Sequence, residues 1–547
     1  MHWSDAMAAR LMESSGTHVI ASGITPSGEF HIGHLREILT GDMIARAIHD
    51  GGGEARSVFI VDSMDPLRRV YEFLDPSYEA YIGHPLAFIP APDSEGRPSD
   101  RPVQEWSYAD AFLAPFMAAL DAIGVRPEVI YNHRTYEQGQ FAPAIRTLMQ
   151  RSDEVRAIIE RISGRELPPG WSVYNPLGSD GSMDGVEVTG FEDPFVLWRD
   201  RHGVTGRSDI RAAEGKLPWR LDWPARWGIH GITCEPFGKD HGASGGSYAT
   251  GRPIAADVLG HAAPAPLTYE WIELKGMGPM SSSTGNTIGP MEALSLVPAE
   301  ILRYVIARTK PSKHISFDTG SVLMELADEY ERSLVEISGP LPVDASRRQR
   351  VARATLEGAL RRSQVEPDAP IESVKHAVSF RHLSLLARLK PRDEDIWASL
   401  RRSGRLPEGE PPSPSLRLRL ERMRTWVASI HFPEELALNL RTEPSESALE
   451  GLGPEEIAFI EDLTARWTKC PWEDAILSDH LSAAWRANID QPIRGAFRTM
   501  YRLLLDRDGG PRLISMVVEL DRPRIIGLLD EAALRGRARL DKTDSNA

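Results

Sequence analysis

The chain has 547 residues, 41% of them hydrophobic, and a formal charge of −15 at pH 7. At about 150 residues per domain this length predicts about three or four domains. Two cysteines only, Cys234 and Cys470, exclude a disulfide framework and a structural zinc site of the thiolate type. No run approaches the ~18 uncharged apolar residues of a membrane span, and the opening Met1-His2-Trp3-Ser4-Asp5 lacks a secretory pattern. A cytoplasmic protein with no membrane partner is expected.

Strand and helix signals alternate over the first 140 residues. Strands are predicted at His18–Ser22, Ser57–Asp62 and Glu128–Tyr131, with amphipathic helices at Leu35–Ile48 and Ala109–Ile123. Alternation of this kind implies a parallel sheet. The pattern turns helical over 142–162. Residues 171–210 then read as short antiparallel strands, because Asn175-Pro176, Asp180-Gly181 and Asp184-Gly185 are turn formers. Strand signals return at Gly231–Cys234 and Tyr269–Leu274. After 290 the chain reads as helical, with a helix opening at Pro298, a linker at Gly339-Pro340-Leu341-Pro342 and a loop at Pro407–Pro412 between helices at 372–390 and 415–430. Residues 331–547 hold 34 basic and 34 acidic residues, so a basic surface can form there although the whole chain is acidic.

Three stretches point to chemistry. Gly23-Ile24-Thr25-Pro26-Ser27-Gly28-Glu29-Phe30-His31-Ile32-Gly33-His34 joins the first strand to a helix. The free N–H groups and positive dipole end of that helix make an anion site, and His31 and His34 can donate to phosphate oxygens. Gly238-Lys239-Asp240-His241 follows a strand, where ligands of doubly wound sheets bind. A carboxylate there can hold a ribose hydroxyl, and Gly245-Gly246 permits close backbone approach. Met280-Ser281-Ser282-Ser283-Thr284-Gly285-Asn286 offers hydroxyl and backbone donors to phosphate but no fixed positive charge.

The His31–His34 tetrapeptide is the HIGH signature of class I aminoacyl-tRNA synthetases, and the 280–286 stretch resembles their KMSKS loop, with Pro279 and Ser283 or Thr284 where lysines are expected. Further stretches match the class I lysyl-tRNA synthetases found in archaea and some bacteria. They are Asp62-Ser63-Met64-Asp65-Pro66-Leu67-Arg68, residues 216–227, Glu235 to Tyr248, Tyr304 with Arg308, Phe317-Asp318 and Gly510-Pro511-Arg512-Leu513. The resemblance runs from about residue 17 to 530, tightest over 216–247.

This resemblance implies an α/β fold: a Rossmann-type doubly wound parallel sheet with an inserted connective domain and an all-α C-terminal region. The expected division is 1–140 and 216–278 as the two halves of the catalytic domain, 141–215 as the insertion, 279–335 as signature loop and stem-contact helices, and 336–547 as a helical anticodon-binding domain. It implies ATP-dependent activation of lysine, with Mg²⁺ accompanying the pyrophosphate, and transfer to tRNA(Lys). His31, His34 and Ser281–Ser283 would act in catalysis, and Pro26, Gly28, Gly33, Gly238, Asp240, Met280 and Thr284 would join the two histidines on ATP. Lysine would meet Gly23, Thr25, Trp219, Asp222, Trp223, His241 and Tyr269. A lysine side chain suits aromatic walls along its methylenes and polar or anionic groups at its ammonium. Family members often carry cysteine pairs in the insertion; residues 171–210 have none, so no structural zinc is expected. Lys239 and Lys275 are candidates for the charge missing from the signature loop. A lysine-activating paralogue with a non-tRNA acceptor, and a catalytically silent tRNA-binding protein, remain open alternatives.

Overall fold

The computed structural model describes residues 1–274, 278–279, 288–374 and 376–544. Two compact units are present: Met1–Asp318 with Arg332–Lys375, and Thr319–Glu331 with His376–Ala547.

The first unit is built on a five-stranded parallel sheet. Its strands are β1 (His18–Ile24), β2 (Ala55–Val61), β3 (Glu128–Tyr131), β4 (Cys234–Gly238) and β5 (Ala265–Tyr269), in the order β5-β4-β1-β2-β3. The chain winds outward from β1 through β2 to β3, then returns to the other side of β1 for β4 and β5. All neighbours are parallel, with His18 opposite Ala55, Ile20 opposite Cys234 and Val58 opposite Glu128. Period-two alternation buries both faces. Val19, Ala21, Val58 and Ile60 pack against Trp223, Trp227 and Phe237 on one side. Ile20 and Cys234 pack on the other against α1 (Trp3–Leu11) and α2 (Ile32–Asp50) through Met7, Leu11, Ile44 and Ile48. The observed sheet is the doubly wound α/β arrangement expected from the sequence.

Two strands fall elsewhere than predicted. β4 begins where the expected strand ends, so Glu235-Pro236-Phe237-Gly238 carries the sheet. Tyr269–Leu274 is divided: Tyr269 closes β5, whereas Ile272–Leu274 joins a separate small sheet beside Ile315–Phe317 and Gly278–Pro279. The helical signal of 142–162 resolves into helices Ala142–Gln150 and Ser152–Ser163. Strands Glu187–Glu192, Phe195–Arg199 and Thr205–Asp209 follow as an antiparallel sheet. Helix α3 (Tyr108–Ala122) lies between β2 and β3, and α4 (Trp219–Ile229) precedes β4.

Within the described residues the second unit is helical. Phe459, Ile460, Leu463 and Trp467 of helix Pro454–Lys469 meet Leu477, Leu481 and Trp485 of helix Asp474–Asn488 and Leu528, Leu529 and Ala532 of helix Arg522–Asp544. Residues 372–374 and 376–379, predicted to be helical, are irregular, and the helix runs Phe380–Leu389 with Ser379 as its N-cap. No helix among the described residues is long and apolar enough to cross a membrane.

Candidate active site

Strand order reverses between β1 and β4, and the turn from β1 into α2 opens at that point. Ligands of open α/β sheets bind outside the carboxyl ends of the strands at such a switch. A cavity of about 380 Å³ occupies this place.

The entry to α2 fixes the chemistry of its histidines. His31 is the N-cap, and its Nδ1 accepts from the Gly33 N–H at 3.1 Å. Nδ1 of His34 accepts from the His31 N–H, also at 3.1 Å. A neutral imidazole with an accepting Nδ1 carries its proton on Nε2. Burial holds both rings neutral, pulling His31 down to about 4 and His34 to about 3, the latter helped by its neighbour 4.0 Å away. The pair is therefore two uncharged N–H donors at the positive end of a helix. Phe30, stacked on Phe116 at 4.3 Å, backs His34.

One turn further along, Glu37 faces the same cavity. Its Oε1 accepts from the Gly23 N–H at 2.7 Å and its Oε2 from the Tyr269 hydroxyl at 3.0 Å. Burial pushes this carboxyl up to about 8. Arg36 also lines the cavity, over the Tyr269 ring at 5.9 Å, while its Nη2 donates to the carbonyls of Pro311 and Lys313. Neither Arg36 nor Glu37 was among the residues expected from sequence. The available signal was helical spacing, since position 37 shares a face with Gly33 and His34.

Across the cavity stand Gly238, Asp240, His241, Tyr269 and Trp271. A Cβ on Gly238 would come within 2.6 Å of Asp240 Oδ1, so a side chain there would displace the carboxylate. Asp240 Oδ2 lies 3.5 Å from His241 Nε2. Trp219 and Trp223 stack at 5.3 Å and approach the His241 ring at 5.9 and 5.6 Å. Pro26 and Gly28 are buried in the turn between β1 and α2, which Tyr108 anchors by donating to the Ser27 carbonyl at 2.8 Å. Thr25 donates to Asp65 at 2.7 Å.

Asp222 is not brought to this cavity. Its carboxylate is wholly buried and bound by Arg226, by the Tyr136 hydroxyl at 2.7 Å and by the Asn132 amide at 3.2 Å. Arg226 also pairs with Asp62 at 2.5 Å. The spacing that placed Asp222 beside Trp219 and Trp223 on α4 also puts it four residues before Arg226, and the ion pair takes it. Lys239 pairs with Glu270 at 2.6 Å and lies over the Trp271 ring at 4.8 Å. Met280, Ser281, Ser282, Ser283, Thr284 and Lys275 lie outside the described residues.

Residues 1–356 match the family model of the class I tRNA synthetases (K). A lysine–tRNA ligase of Picrophilus torridus is 34% identical over 527 residues, 96% of this chain and 98% of that protein. One from Archaeoglobus fulgidus is 36% identical over 531 residues, 96% and 99% of the two chains. The chain belongs to the class I lysyl-tRNA synthetase family. Lysine–tRNA ligase 1 of Methanosarcina acetivorans is 44% identical over 335 residues, 61% of each chain. Among solved structures, a glutamate tRNA ligase from Elizabethkingia meningosepticum aligns over 94% of this chain and 99% of its own at 14% identity and a TM-score of 0.38. Membership of the class I lysyl family covers the sheet, the α2 entry and every described residue lining the cavity, since all of these fall within residues 1–356.

Proposed function

We infer that this chain activates lysine with ATP as lysyl-adenylate and then passes the lysyl group to tRNA(Lys). The observation that carries this is one cavity in which two neutral N–H donors, His31 and His34, face the same space as a buried carboxylate, Glu37, and the aromatic side chain of Tyr269. The donors suit a polyphosphate, and the carboxylate suits an ammonium. Family membership supports the choice of lysine and of tRNA(Lys).

In the first step the lysine carboxylate attacks the α-phosphorus of ATP in line and pyrophosphate departs. The protein orients the reactants and stabilises charge on the phosphate oxygens. Nε2–H of His31 and of His34 donates to those oxygens. Asp240 holds the ribose, and Gly33 and Gly238 give the nucleotide close approach to the backbone. Glu37 takes the lysine side-chain ammonium, with Tyr269, His241, Trp219 and Trp223 along the methylenes. Gly23 and Tyr269 hold the Glu37 carboxylate in place. In the second step a hydroxyl of the terminal tRNA ribose, the 2′-hydroxyl in this class, attacks the lysyl carbonyl and AMP leaves. Mg²⁺ would neutralise charge on the pyrophosphate. Among the described residues no group of three or more His, Cys, Asp or Glu side chains is placed to hold a metal ion, so the phosphates themselves would carry it. Ser281–Ser283, Met280 and Thr284 would cover the phosphates, and the helical second unit would read the anticodon.

The test is ATP–pyrophosphate exchange against all twenty amino acids, with and without tRNA, followed by charging of tRNA(Lys). Lysine-dependent exchange and charging are expected. Exchange without charging would indicate a different acceptor, and no exchange under either condition would indicate a silent RNA-binding protein.

A further inference from the structure

A second cavity, of about 250 Å³, lies between α3 and the helix Pro290–Leu296 and shares no described lining residue with the active-site cavity. Its walls are the rings of Phe30, Phe112 and Phe116 and the side chain of Met291. It opens to solvent, since Met291 is 49% exposed, and a Cβ added at Gly289 on its wall would meet nothing within 4 Å.

Three acceptors meet this apolar space. Two are the exposed carboxylates of Glu29 and Glu292. The third is the Ala111 carbonyl. In a helix that oxygen receives the N–H of residue 115, and residue 115 is proline, which has none. Ala111 and Pro115 both line the cavity, so the carbonyl that lacks its helical donor belongs to the wall. No basic side chain is among the described lining residues. This set opposes phosphates and carboxylates and matches an ammonium, which has three donors and no acceptor. Aromatic faces attract the same charge. The volume lies just below the ~300 Å³ at which drug-sized ligands begin, so it suits one ring and a short chain.

The cavity is also joined to the catalytic histidines. Phe30 and Phe116, stacked at 4.3 Å, both lie edge-on to His34, at 5.1 and 6.5 Å. The Ile32 N–H, at the start of α2, donates to the Ile288 carbonyl at 3.1 Å, next to Gly289 on the cavity wall. A ring seated on Phe116 would shift the support of His34, and small misplacements of a catalytic donor cost much of its effect.

We propose that this cavity is an effector site for an arylalkylamine, the amine left when an aromatic amino acid loses its carboxylate, and that its occupancy slows adenylate formation. The effect on rate rests on the lysine-activating reading above; the binding does not. The parent amino acid is excluded because its own carboxylate would meet Glu29 and Glu292.

Binding to the full chain is measured by calorimetry, with and without saturating lysine. The probe is 2-phenylethylamine, with 2-phenylethanol as its uncharged isostere and phenylalanine as the form that keeps the carboxylate. The amine should bind at least about tenfold more tightly than either control, and Glu292→Gln should weaken it by about tenfold, the scale of a hydrogen bond to a charged group. In ATP–pyrophosphate exchange, saturating amine should lower kcat about fivefold and leave KM for lysine within about twofold of its original value. Met291→Trp, which fills the cavity from its rim, should abolish both binding and inhibition and keep the uninhibited rate. If Met291→Trp does not fold, Glu292→Gln still carries the test. Equal binding of amine, alcohol and amino acid would mean an unselective apolar cavity and overturn the proposal. Displacement of the amine by lysine would place it in the active site and overturn it too, as would no binding at all, or binding with unchanged exchange. Failure of the unaltered protein to exchange with lysine would instead remove the lysine-activating reading and leave the calorimetry to decide the site.

Discussion

Replacing Glu37 by Gln removes a charge while keeping most of its hydrogen-bonding shape, because the amide oxygen can still accept from Gly23 and the amide nitrogen can face Tyr269. Losing one partner of a buried charge pair costs about 2–5 kcal/mol. The carboxyl is raised to about 8, so in the empty site at pH 7 it is mostly protonated and must release that proton to receive an ammonium. That release costs about 1.4 kcal/mol at one pH unit below the midpoint. Taking about 3 kcal/mol for the pair, the net loss in Glu37→Gln is about 1.6 kcal/mol at pH 7, about fifteenfold in kcat/KM for lysine, and about 150-fold above pH 8.5. A raised carboxyl holds its proton below the midpoint, so lysine use should improve as pH rises. From pH 6.5 to 8 the unaltered enzyme should gain about sixteenfold in kcat/KM for lysine, while the lysine side chain stays charged throughout. The Glu37→Gln profile should be flat there, because His31 and His34 titrate near 4 and 3. Pyrophosphate exchange at a series of lysine concentrations and pH values reads both quantities. A Gln variant with unchanged kcat/KM, or one that keeps the steep rise with pH, would refute the assignment of Glu37 to the ammonium.

His31→Ala or His34→Ala should slow adenylate formation by about 10²–10³-fold, the scale of a lost transition-state donor; unchanged exchange in both variants would remove their role. Lysines restored at Pro279 and Thr284 should raise exchange by about tenfold, or about 1.4 kcal/mol; if Lys275→Ala is damaging and the restored lysines add nothing, Lys275 already supplies the charge. Arg226→Met strands the buried carboxylates of Asp62 and Asp222, and urea unfolding should show about 3–5 kcal/mol of lost stability. Elemental analysis of the purified protein should find no stoichiometric zinc, and a zinc ion per chain would mean that histidine and carboxylate ligands hold one.

The parts of the fold legible in the sequence were those with local causes. Glu128–Tyr131 is apolar and β-forming between turn signals, and it is β3 residue for residue. The glycine-rich turn into α2 states its own geometry, and the cavity lies against it. β4 was misplaced because Pro236 argues against a central strand; in the structure β4 meets β1 through Ile20 and Cys234 and takes its register along β5. The apolar residues of Tyr269–Leu274 run across two sheets, and only the pairing of Ile272 with Ile315, distant in sequence, separates them. Glu37 was hidden for a similar reason. A glutamate on a helix reads as solvated until Tyr269, 232 residues away, closes over it. Asp222 misled by proximity, since its neighbours in sequence are aromatic while its neighbour in space is a guanidinium.

The carboxylate of Asp65, which holds Thr25, forms a buried ion pair with Lys216 that limits how the molecule can be rebuilt. Lys216 ends the short strand Gly215–Lys216, which pairs with Asn175–Pro176, and its ammonium is the counter-ion of a carboxylate that follows β2. Excising residues 171–216, or grafting that stretch from a relative without the lysine, would leave a buried anion with no compensating charge. The segment therefore cannot be treated as an interchangeable module. A chimera that exchanges it must exchange position 65 as well, and a library that randomises either position alone would be dominated by poorly folded members.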